Sequence, residues 1–73
     1  MPVKKRNTYY FDGNDNKFAT AFVSEDGLDF LVAARNEDKG AYFKFSKDEI
    51  FHDEGISIWE AAAMLAMSYL ERD

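Results

Sequence analysis

From Thr8 to Phe45 short runs of aromatic, β-branched and small apolar residues are separated by turn-rich polar segments, the pattern of strands. After Ile56 the pattern changes to the 3.6-residue period of a helix. The first regime divides at turn-rich points into four strands. The first spans Thr8 to Phe11 and ends at Asp12-Gly13-Asn14-Asp15-Asn16. The second, Phe18 to Ser24, leads into Asp26-Gly27, whose residues both tolerate positive φ and suit a two-residue type I′ turn. The third, Leu28 to Arg35, is followed by the loop Asn36 to Lys39 with Gly40 beside it, and the fourth runs from Ala41 to Phe45. Ser46 and Glu49 have capping-box spacing and predict a short helical turn within 46–51. Ser57 and Glu60 repeat that spacing, Ile56 stands where a hydrophobic staple clamps the first turn, and strong helix formers follow to Asp73. The expected fold is α+β: a four-stranded antiparallel meander and one long C-terminal helix on one sheet face, ββββα. Residues 8–73 form the domain, behind a flexible basic arm over 1–7.

Side chains in a strand alternate between faces, so the turns fix which residues share a face. A turn centred on Asp26-Gly27 pairs Val23 with Phe30, Ala21 with Val32 and Ala19 with Ala34. The four-residue loop at 36–39 adds Phe45, Phe43 and Ala41 to that row set. This face is apolar and rich in small residues, which lets a helix approach closely. The helix offers a stripe of Ile58, Trp59, Ala62, Leu65, Ala66, Tyr69 and Leu70, with Glu60, Met64, Ser68 and Glu71 opposite. The other sheet face carries Phe18, Thr20, Phe22, Leu31, Ala33, Tyr42 and Lys44. If Phe11 pairs with Phe18, Tyr9 and Phe11 join it.

Composition narrows the function classes. A chain of 73 residues buries only about 60% of its unfolded surface. Its seven Phe, four Tyr and one Trp supply large apolar area to offset that. It has no cysteine, hence no disulfide or thiolate chemistry. No signal peptide follows Met1 to Asn7, and no apolar run reaches the roughly 20 residues of a membrane span, so a cytoplasmic location is expected. Net charge is −5. Lys4, Lys5 and Arg6 lie in the arm. From Asn7 onward six basic residues face fourteen acidic ones. Such a body repels duplex nucleic acid and is drawn to a basic protein surface.

No motif specifies catalysis or a cofactor. His52 is the sole histidine, beside Asp53 and Glu54, with no second His or Cys to complete a metal site. Asp12, Asn14 and Asn16 match the first ligands of a calcium loop. Lys17 stands where that loop needs glycine and Val23 where it needs the bidentate glutamate, so a hairpin loop is expected instead. There is no nucleophile elbow and no glycine-rich phosphate loop. A non-enzymatic role without metal or cofactor is expected.

Two surfaces remain. In an up-down meander the 24–27 turn and the 46–55 connection lie at one end, which also receives the helix N-terminus. That end collects Glu25, Asp26, Asp29, Asp48, Glu49, Asp53 and Glu54 into an acidic pole, with Lys47 against them. The second surface is the uncovered sheet face: Tyr9, Phe11, Phe18, Phe22, Leu31 and Tyr42, with Arg35 and Lys44 among them. It would serve as a homodimer interface, a partner site or a second core layer.

Thr8-Tyr9-Tyr10-Phe11-Asp12 opening a β-β-β-β-helix order resembles single repeats of PUR-type and PC4-like single-strand-binding domains. That resemblance implies a dimer stacking bases on its sheet, whereas those domains line the sheet with more basic residues. In overall profile the chain resembles the small acidic inhibitors that phages direct against host defences, including anti-CRISPR and anti-restriction proteins. That likeness implies a non-catalytic protein-binding module occluding a basic, nucleic-acid-binding surface of a larger protein such as a host-defence complex.

Overall fold

The computed structural model describes residues 6–72. Four strands, β1 (Arg6–Phe11), β2 (Asn14–Val23), β3 (Asp29–Arg35) and β4 (Gly40–Ser46), form one antiparallel sheet in the order β1-β2-β3-β4. A 3₁₀ turn (Lys47–Glu49) and a helix, α1 (Ile58–Arg72), complete the ββββα architecture. Among the described residues no helix is long and apolar enough to cross a membrane. Lys4 and Lys5 of the expected arm lie outside the described residues. Arg6 and Asn7 belong to β1 rather than to the arm, paired with Phe22 and Ala21.

The β2–β3 and β3–β4 registers are those the turns dictate. Val23 pairs with Phe30, Ala21 with Val32 and Ala19 with Ala34; Phe30 pairs with Phe45, Val32 with Phe43 and Ala34 with Ala41. The β2–β3 loop itself is wider than the expected type I′ turn. The Gly27 N–H donates to the Ser24 carbonyl at 3.0 Å and the Ser24 N–H to the Asp29 carbonyl at 2.9 Å, with Gly27 at φ 75°. Asp26 does not have positive φ. The register survives because both loops share a centre between Asp26 and Gly27.

The tight turn occurs instead at Asp12-Gly13, with φ 57° and 65°, where Phe11 pairs directly with Asn14. The adjacent pair is Tyr10–Phe18, so β2 bulges over Asp15 to Lys17. The Asn14 carboxamide oxygen accepts from the Asn16 N–H at 2.8 Å, and the Lys17 ammonium reaches Asp12 at 2.8 Å and Glu71 at 3.1 Å. These bonds fix the bulge and tie it to the end of α1. Tyr10, not Phe11, therefore opposes Phe18, and Tyr9 opposes Ala19. That one-residue difference moves Tyr9 and Phe11 to the helix-covered side, where both pack against the core.

The core is thin because small residues meet small residues. Ala19, Ala21 and Val32 are fully buried beneath Ala62, Ala63 and Ala66 of α1. Phe30 meets Trp59 edge-on, ring centroids 5.4 Å apart. At the β4 side Phe43 and Phe45 lie under Tyr69. The buried stripe of α1 is centred nearer Ala63 and Met67 than the sequence period implies, leaving Tyr69 at its exposed edge. The Ser57 hydroxyl accepts from the Glu60 N–H at 3.1 Å and begins the helix.

Candidate functional site

The 24–28 turn and the 3₁₀ turn are joined by one bond, the Lys47 N–H donating to the Leu28 carbonyl at 2.8 Å. This places Glu25 and Asp26 at the end of the sheet that also holds Asp48 and Glu49. The connection onward to α1 carries Asp53 and Glu54 in solvent. The seven carboxylates expected there have unequal work. Asp26 accepts from the Ser24 hydroxyl at 2.6 Å and the Leu28 N–H at 2.9 Å, which holds its carboxyl below the usual aspartate range; the hydroxyl bond contributes most. Glu49 accepts from the Ser46 N–H at 2.9 Å and closes the capping box of the 3₁₀ turn. Asp29 alternates onto the open sheet face beside Leu31 and Lys44. Asp48, Asp53 and Glu54 are exposed, with no partner for their carboxylates among the described residues.

The uncovered sheet face differs from its expected composition at β1. Phe18, Phe22, Leu31 and Tyr42 are there, Tyr42 at 77% exposure. Tyr9 and Phe11 are not, for the register reason above. Tyr10 takes their place, its ring 5.7 Å from that of Phe18, and Thr8 meets Thr20 across the strands at 2.9 Å. One cross-strand row reads Arg6, Phe22, Leu31, Lys44, and another Tyr10, Phe18, Arg35. Three cations thus share this face with five large apolar side chains. Arg6 was not legible as part of it, because its basic neighbours mark it as arm.

The residues with chemical overtones make local structural bonds. The His52 ring bonds through Nδ1 to the Ile56 carbonyl at 2.8 Å and closes the connection. Asn14 serves the bulge and donates to Glu37 at 2.9 Å. Among the described residues no group of three or more His, Cys, Asp or Glu side chains gathers as metal ligands.

A third surface was missed. The connection passes in front of the first half of α1 and leaves an open groove of about 660 Å³. Ile50, Ile56, Ala61, Met64 and Leu65 line it, with Glu49 and Asp53 at its rim. Phe51, at 89% exposure, lines it too. The sequence signal is a lone phenylalanine among Asp48, Glu49, His52, Asp53 and Glu54, belonging to neither strand nor helical stripe.

Comparison with protein-family models, with curated proteins and with solved structures finds no match for this chain.

Proposed function

We propose that the chain is a non-catalytic protein-binding module, an inhibitor of phage type that docks its acidic pole on a basic, nucleic-acid-binding surface of a larger protein. One observation carries this reading: Asp48, Asp53 and Glu54, close in sequence around the connection, are exposed without any local bond that explains them. Asp26 and Glu49 are explained by their turns and count for less. Clustered carboxylates in solvent raise the encounter rate with a basic patch and compete with phosphates for it. A pull-down with the intact chain identifies the partner. The variant Asp48→Asn/Asp53→Asn/Glu54→Gln then associates severalfold more slowly, with a flatter salt dependence. An unchanged rate and salt slope would defeat the reading.

A second reading, a single-strand nucleic-acid-binding dimer, is favoured by the sheet face. Arg6, Arg35 and Lys44 interleave there with Tyr10, Phe18 and Tyr42, the side-chain mixture that stacks bases and neutralises phosphates. Titrating labelled oligothymidine at low salt decides it. Binding weakened by Tyr42→Ala and by Lys44→Ala supports this reading, and no binding at tens of micromolar protein excludes it.

A further inference from the structure

We infer that the groove between the 50–56 connection and α1 receives an amphipathic basic segment of the partner, apolar side chains inward and Lys or Arg outward. This rests on the acidic-pole reading and names the shape of what the pole attracts. Phe51 is the starting point. A phenylalanine 89% exposed buries little of its own surface, and it lines the same groove as an apolar floor. That floor is formed by buried Ile50 and half-buried Ile56 and Leu65, while Met64 at 45% exposure offers a pliable wall on α1. The connection is closed on itself by the His52 bond to the Ile56 carbonyl at 2.8 Å, which holds Ile56 in place on that floor.

Charge decides the occupant. Glu49 and Asp53 line the rim, and Asp48 and Glu54 adjoin them in sequence. A second copy of the chain, docked about a two-fold axis, would bring the same acidic rim against itself, and like charges so placed disfavour the pairing. An acidic or neutral apolar segment would gain nothing from the rim. A helix with apolar residues at i, i+3, i+4 and i+7 and cations between them matches both parts, floor and rim.

The test uses fluorescence anisotropy with labelled synthetic peptides and the intact chain. A Leu/Lys amphipathic peptide is compared with a Leu/Glu peptide of the same pattern and with a Gly/Lys peptide of the same charge. The Leu/Lys peptide binds at least tenfold more tightly than either control. Phe51→Asp and Met64→Glu, both at exposed positions, each weaken it at least tenfold while the far-ultraviolet circular dichroism stays unchanged. If the Leu/Lys peptide does not bind, the inference is overturned. If its binding depends on Asp48, Asp53 and Glu54 but not on Phe51 or Met64, the groove falls and the acidic pole stands. If Leu/Glu binds as well as Leu/Lys and the Phe51 dependence remains, the pole reading falls, and the basic partner with it. Sedimentation showing a dimer that Phe51→Asp dissolves would assign the groove to a second copy and also overturn the inference.

Discussion

Asp26 shows how a charged side chain that looks like part of an interaction surface can be part of a turn. Its Oδ1 accepts from the Ser24 hydroxyl and the Leu28 N–H, and the charged form is the better acceptor, so its pKa is lowered. A folded-state pKa below the unfolded one adds stability above about pH 4, and this is lost as pH falls through the folded value. In Ser24→Ala the Asp26 carboxyl titrates closer to its ordinary value, read by side-chain carboxyl NMR. The loss of stability on acidification is then shallower. Lys17 has the opposite sign: bonds to Asp12 and then Glu71 raise its pKa, so its contribution is present below about pH 10 and is lost at higher pH. His52 also acts on its own backbone. Replacing it with Ala releases the Ile56 carbonyl and speeds exchange of the Ile56 amide, which donates to the Asp53 carbonyl within the same closed connection.

At the level of elements, the β1–β2 bulge determines which aromatic residues hold the fold. Tyr9 and Phe11 are half-buried against the core, whereas Tyr10 is 61% exposed and touches Phe18. Urea denaturation should show Tyr9→Ala costing about 1–2 kcal/mol and Tyr10→Ala less than about 1 kcal/mol; the reverse order would mean that β1 pairs one residue out of register. The β2–β3 and β3–β4 pairings were legible because loops centred on Asp26-Gly27 and on Glu37-Asp38 fix register whatever their detailed geometry. The β1–β2 pairing was not, because Asp12 to Asn16 contains turn formers at every position and Lys17 is held by Glu71, distant in sequence. The helix was legible from its cap, yet its rotation was not. Alanines at 61, 62, 63 and 66 give little directional signal, and all four are buried. That close alanine packing leaves no room: Ala66→Leu forces the helix off the sheet and costs about 1–3 kcal/mol by the same measurement.

Across the whole molecule, the residues that hold the fold and the residues offered to a partner overlap only at the groove floor, where Ile50, Ile56, Ala61 and Leu65 belong to both. The fold rests on the alanine interface, Phe30 with Trp59, and the aromatic group at β4. The acids of the connection, Phe51 and Met64 contribute little to it. This matters for a chain of 73 residues, since small domains bury a low share of their surface and have little stability in reserve. Selection for stability alone would remove an exposed phenylalanine, which adds aggregation risk and buries little. The expected consequence is a dissociation of stability from binding. Phe51→Asp should shift the melting temperature by less than about 4 °C, the shift that roughly 1 kcal/mol produces in a domain of this size. Leu70→Ala, which opens space in the core, costs about 2–5 kcal/mol and lowers the melting temperature by well over 4 °C. Differential scanning calorimetry on the two variants makes the comparison directly. A Phe51→Asp loss as large as that of Leu70→Ala would mean that Phe51 is held inside the fold, and that the groove is filled by the chain's own residues rather than open to another molecule.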